Sequence, residues 1–307
     1  MNKPYLTIVM SGRNDNFGKN FVSRFQTTID MLASSSSMNN LSLELIIVEW
    51  NPSPDAPKLC DVLTIPPFLK SKVRIITVDQ DVHKQIIPTV FDALNAKEID
   101  FYPAIAQNVG MRNAHGRFIL STNADIIFSQ PLMAFLGQQQ LKDNLFYRAY
   151  RFDMVEMIPL SLDTTETLKF CKDNSTRRGN IVSPYILHKK AAGDFVLASQ
   201  QVFSTTRGYP EIRSDGFKTE GKFLERLNVN FKQHILDGPL NFYHQLHKNR
   251  FLYSGYDTYG NMRKFKKEKV INKLIKPRIM CNITMKFTHE NGSDWGLTNY
   301  NLKEVVL

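Results

Sequence analysis

The chain has 307 residues, 42% of them apolar and 22% charged, with 15 glycines and 14 prolines, which excludes a collagen-like, heptad-rich or wholly disordered protein. Its net charge of +10 is concentrated in residues 248–278, where ten Lys and Arg face only Asp257 and Glu268. Three widely separated cysteines (Cys60, Cys171, Cys281) make neither a disulfide framework nor a zinc knuckle, and no apolar run nears the roughly 20 residues of a membrane span, so a cytoplasmic, reducing setting is expected.

Residues 5–10, Tyr-Leu-Thr-Ile-Val-Met, are a β-branched run closed by Ser11-Gly12 and predict a buried strand. Phe21, Phe25, Ile29 and Leu32 then share one helix face, and the serine-rich residues 34–40 predict a polar loop. Residues 43–49 are a second strand, stopped by Asn51-Pro52-Ser53-Pro54, and residues 73–78 a third. Strand, helix, strand, loop, strand predicts a parallel α/β sheet, because parallel neighbours need crossovers. Residues 79–102 carry no clear period. A helix from Pro103 carries Ala106, Val109, Gly110 and Ala114, and leads into a fourth strand at 117–121. Residues 145–183 mix strand-like and polar segments, and residues 195–198 are apolar again. The basic stretch from Lys248 reads as an appendage that could hold phosphates or an anionic bilayer surface. No nucleic-acid-binding pattern accompanies it, so nucleic acid is not an expected partner.

Ligands of open α/β sheets bind at the carboxyl ends of the strands. Three polar clusters fall there: residues 11–15, residues 49–51 and Asn123-Ala124-Asp125. None fits a dinucleotide fingerprint or a P-loop. Further on, Tyr243-His-Gln-Leu-His247 spaces two histidines three apart, on one face of a helix or at its end, where they can meet a metal.

Residues 107–125, Gln-Asn-Val-Gly-Met-Arg-Asn-Ala-His-Gly-Arg-Phe-Ile-Leu-Ser-Thr-Asn-Ala-Asp, resemble the sugar-nucleotide signature of GT-A glycosyltransferases of the family 2 type. That signature is an Asn-x-Gly helix start, an Ala-x-Gly turn, an apolar strand and a terminal D-x-D, whose first Asp is Asn123 here. The likeness covers most of residues 4–247. It implies a mixed, mainly parallel GT-A sheet flanked by helices over residues 1–247, with residues 248–307 a basic C-terminal extension. In such a protein Ser11, Arg13, Asn14, Glu49, Asn108, Arg112 and Asn123 would bind the nucleotide sugar. Asp125 would hold Mn2+ or Mg2+ on the donor diphosphate, with His244 and then His247 completing the cation shell. The acceptor-side motif, Gly193-Asp194-Phe195 through Glu211, would continue to Glu220-Gly221, where the family's second acid is Gly221. Glu220 is then the first candidate for the base, followed by Asp194 and Asp215. The implied activity is inverting sugar transfer from a nucleotide-diphosphate donor to a hydroxyl on a glycan or lipid-linked acceptor. The alternative is an inactive GT-A-like module that binds glycan or nucleotide. Asp294-Trp295-Gly296 has no evident role at this level.

Overall fold

The computed structural model describes residues 3–90, 100–180, 183, 185–211, 219–247 and 291–307. The first half contains β1 (Leu6–Gly12), α1 (Phe21–Met38), β2 (Leu43–Trp50), α2 (Leu59–Val62), β3 (Val73–Val78), α3 (Gln80–Val90), α4 (Pro103–Arg112), β4 (Phe118–Thr122), β5 (Ile126–Phe128) and α5 (Gln130–Gly137). Then follow β6 (Leu145–Met154), α6 (Thr164–Asp173), β7 (Ser175–Arg177), β8 (Phe195–Ser199), α7 (Gln200–Thr206), α8 (Thr219–Asn230), β9 (Lys232–His244) and β10 (Lys303–Val306).

The strands make one sheet in the order β10-β3-β2-β1-β4-β8-β6-β9-β5, with β7 on β6. Its block β3-β2-β1-β4 is parallel, while β8 and β10 join it antiparallel on either side. The expected α/β class, a mixed sheet flanked by helices, is therefore the class observed. Side chains alternate as a period of two requires. Leu6, Ile8 and Met10 of β1 and Leu45 and Ile47 of β2 enter one core layer, with the apolar faces of α1 and α5. Val9 of β1 and Ile46, Val48 and Trp50 of β2 enter the other, under α4, α7 and α8. Strands covered on both faces need continuous apolar runs, which is why they were legible.

Three expectations are corrected. First, α1 continues through the serines to Met38, because Ser35 and Ser36 are buried and the Asn39 side chain caps the Ser35 carbonyl at 2.7 Å; packing overrides a modest helix propensity. Second, Asn108-Val109-Gly110 is not a helix start but lies in the second half of α4, where Gly110 packs on β1: a Cβ there would lie 2.2 Å from Val9 Cγ1. Third, the end of the supposed extension is integral to the domain. β10 pairs with β3, Arg74 grips Glu304 with two bonds of 2.8 and 2.9 Å, and Trp295 is buried in the second core layer. The basic residues 248–278, with the bilayer contact expected of them, lie outside the described residues. Among the described residues no helix is long and apolar enough to cross a membrane.

His188 is 1% exposed and sits edge-on to Tyr150 at 5.0 Å. Burial pushes its imidazole down to about 4, and the nearby Arg148 and Lys190 charges push the same way. As pH falls through 6.5 the unfolded chain therefore binds this proton before the folded one does. Stability linked to His188 is complete above that pH and lost progressively towards pH 4, on the order of 3 kcal/mol in all. Urea midpoints measured from pH 7 to pH 4.5 are expected to fall more steeply for the wild type than for His188→Gln.

Candidate active site

β1 is followed through α1 by β2 on one side, while β4 lies on its other side. The crevice between the carboxyl ends of β1 and β4 is thus the topological switch point. A cleft of about 530 Å³ opens there.

Asp125 projects into it from the turn between β4 and β5. The antiparallel pairing of β5 with β9 sets Ile126 opposite His244, and the Gln245 N–H donates to the Asp125 carbonyl at 3.0 Å. This register delivers His244 Nε2 to 3.7 Å from Asp125 Oδ1, and His247 Nε2 to 3.2 Å from Oδ2. One donor atom from each of the three side chains lies within 4.8 Å of the others. The histidines are positioned by a strand end and the turn after it, not by a helix. His247 rests on the Phe17 ring, with centroids 5.4 Å apart. It lies over Gly18, which has φ +66° and where a Cβ would come 2.7 Å from His247 Nδ1. Arg24, on the same face of α1 as Phe25 and Thr28, places Nε 3.9 Å from Asp125 Oδ2.

Burial alone would raise the Asp125 carboxyl, but His244, His247 and Arg24 outweigh it and hold the group well below the usual carboxylate range. Burial lowers the His244 imidazole by more than Asp125 raises it, which favours the neutral form that can ligate a cation. An ionised carboxylate beside such an imidazole and a second histidine is a donor set that fits a divalent cation.

Across the cleft, Asp194 lies at the start of β8. Its oxygens accept from Arg151 Nη1 at 2.6 Å and Asn123 Nδ2 at 2.7 Å. Burial raises this carboxyl, yet the Arg151 charge, with a smaller contribution from His244, brings it below its ordinary value. Asn123 therefore holds Asp194, a task that an aspartate would perform badly because two carboxylates would meet. Arg151 also bonds Asp153 at 2.6 Å. Glu220, in the first turn of α8, lines the cleft close to Gly193.

Of the residues expected to bind the donor, Ser11 and Arg13 line the cleft beside Asp15, Phe17 and Tyr102. Arg13 is anchored to the Asn51 carbonyl at 2.8 Å and to Asp100 at 3.1 Å. Four other expected donor residues stand elsewhere. Asn14 bonds the Pro57 carbonyl at 2.9 Å. Glu49 is fully buried and accepts from the Leu59 N–H at the start of α2 at 2.6 Å. Asn108 is fully buried and clamps the Tyr209 backbone with bonds of 2.8 and 2.7 Å. Arg112 lies over the Trp295 ring at 5.0 Å, which gives the Asp-Trp-Gly motif a structural role. Asp215 lies outside the described residues. Arg151 lines the cleft and Arg24 borders it, and neither carries a site role in the sequence reading, whereas Glu211, at the end of the acceptor-side motif, lines the cleft as well. A signal existed for Arg24, a charge on an otherwise apolar helix face, and for Arg151, one of a charged alternation at a strand end.

Fold and site together define an α/β domain with a carboxylate and two histidines at its switch point and a second pair of acids facing them. No protein-family model and no curated protein sequence matches the chain. Among solved structures, it is similar to the crystal structure of S. aureus TarS 1–349, at 10% identity and a TM-score of 0.47, over 78% of this chain and 60% of that one. It is also similar to the catalytic domain of Drosophila beta1,4galactosyltransferase 7 in complex with xylobiose, at 10% identity and a TM-score of 0.46, over 94% of this chain and 82% of that one. The chain thus spans 60% of the length of the TarS structure.

Proposed function

We propose that this chain is a glycosyltransferase that moves a sugar from a nucleotide-diphosphate donor to a hydroxyl acceptor, a glycan or a lipid-linked one. The observation that carries this reading is the convergence of Asp125, His244 and His247 in the cleft at the ends of β1 and β4. A divalent cation bound there would supply Lewis-acid stabilisation of the diphosphate as it departs. Ser11, Arg13 and Tyr102 would bind the nucleotide end, with Arg13 already fixed in place by Asn51 and Asp100. The acceptor hydroxyl loses a proton as it attacks, and a carboxylate within hydrogen-bond reach takes it. Asp194 is a poor base, since both its oxygens are engaged and its proton affinity is depressed, and Glu220 is the acid beside it that lines the cleft. A single displacement would invert the anomeric centre.

The imidazole pair favours Mn2+ over Mg2+, which prefers oxygen ligands. Gly18→Ala is expected to push His247 aside and weaken Mn2+ binding by roughly 10–100-fold, read by titration calorimetry, with Mg2+ a weaker ligand throughout. The function itself is tested by a nucleotide-release screen of UDP- and GDP-sugars with Mn2+ and a panel of hydroxyl acceptors. Release with anomeric inversion in the product supports transfer. Donor binding without release in any combination would favour the inactive module, to which the Asn123–Asp194 bond lends support.

A further inference from the structure

Behind the acceptor side of the cleft lies a charge that the proposed chemistry does not use. Arg148, on β6, has no exposure to solvent. Its guanidinium bonds no carboxylate in any contact found among the described residues. It donates to backbone carbonyls instead: Nε to His188 at 3.4 Å, Nη1 to Ala192 at 3.2 Å, and Nη2 to Lys190 at 2.9 Å and Ala191 at 2.7 Å. Burying a cation among neutral partners is costly, and it is tolerated only where the geometry satisfies its donors. The fork of an arginine can reach four carbonyls of one turn at once, whereas the point charge of a lysine cannot.

That turn is strained. Ala191 has φ +51°, a left-handed conformation that a residue with a Cβ adopts only when its surroundings impose it. The turn is closed by the Asp194 N–H donating to the Ala191 carbonyl at 3.2 Å. It leads straight into Asp194 and lies beside Glu220 of α8. A Cβ on Gly193 would touch Glu220 Cγ at 3.2 Å, and the Asp194 carbonyl accepts from Thr122 Oγ1 at 2.6 Å, on the strand that ends at the cleft.

We propose that Arg148 is a positioning residue: by holding the strained 188–193 turn through its carbonyls, it sets where Asp194 and Glu220 stand in the cleft. The proposal rests on the reading of those two acids as acceptor-side groups. Displacing a reacting group by about 1 Å can cost on the order of 100-fold in rate, so the turn has leverage although Arg148 touches no substrate.

The test compares wild type, Arg148→Lys, Ala191→Gly and the double variant by hydrogen exchange, kcat and the affinity for nucleoside diphosphate. Arg148→Lys is expected to speed exchange in peptides covering 188–197 while β1 and β2 keep their protection. It should lower kcat by about 100-fold with nucleotide affinity unchanged. Ala191→Gly alone should leave all three readouts as in the wild type. Added to Arg148→Lys it should restore part of the rate, because glycine adopts the left-handed turn without strain. Ala191→Val disturbs the same turn without touching the buried cation and should reproduce the kcat loss, which keeps the test open if the lysine variant fails to fold. Wild-type exchange over 188–197 in Arg148→Lys, or equal acceleration in β1 and β2, would overturn the proposal. A wild-type protein that transfers no sugar would remove the glycosyltransferase reading, while the exchange comparison would still decide the role of the turn.

Discussion

Asp125→Asn is expected to lower kcat by on the order of 10²–10³-fold, the loss seen when one preorganised electrostatic group is removed from a transition state. The substitution keeps the volume and the backbone bond to Gln245, so the β5–β9 register should survive. What it removes is the charge on which His244, His247 and Arg24 converge. Mn2+ affinity should fall in parallel with the rate, since an amide oxygen is a far weaker ligand than a carboxylate for a divalent ion. Raising Mn2+ should then recover part of the activity, a signature that general damage to the fold would lack. Calorimetric titration of Mn2+ together with initial rates over a Mn2+ series gives both readouts. Undiminished turnover in Asp125→Asn would end the case for a cation-assisted leaving group at this position.

Glu220→Gln should act on the other half of the reaction. A lost general base typically costs about 10²–10⁴ in rate, and the amide leaves shape and packing nearly unchanged. Donor affinity should stay at the wild-type value, because the end of the cleft proposed to bind the nucleotide is lined by Ser11 and Gly12 of β1, by Arg13 and by residues 101–105. Asp194→Asn is the informative contrast. Breaking a buried ion pair by removing one partner typically costs about 3–5 kcal/mol, and here it would leave Arg151 with Asp153 alone. The expected result is a larger drop in thermal midpoint for Asp194→Asn, which breaks a buried pair, than for Glu220→Gln. Equal kcat in Glu220→Gln and wild type would move the base elsewhere, with Glu211 the next acid lining the cleft.

The two carboxylates divide their roles through their neighbours. Asp194 is saturated by Arg151 and Asn123, so it suits electrostatic and structural work. Nothing in the local sequence foretells that division, because Arg151 lies on β6 and Asn123 in the turn after β4, far apart in the chain. The same holds for Asn123 itself. Taken alone it departs from a D-x-D motif, yet beside Asp194 a neutral amide is the residue that the site requires.

What could be read from one dimension was whatever repeats along it. The runs at 5–10, 43–49, 73–78 and 117–121 named their strands because a strand covered on both faces leaves an unbroken apolar signature. The turn after the fourth strand marked Asp125, since a carboxylate at a strand's carboxyl end is a local pattern. The serine-rich end of α1, the tasks of Glu49, Asn108 and Arg112, and the place of β10 in the sheet stayed hidden, because each depends on a partner distant in the chain. The assembly of the site is the clearest case. His244 meets Asp125 only because β9 returns antiparallel to β5, and Arg148 acts only because the 188–193 turn folds over its guanidinium. Hydrophobic periodicity is a property of neighbours along the chain, whereas ligand geometry and charge pairing are properties of neighbours in space, and the sheet register alone converts one into the other.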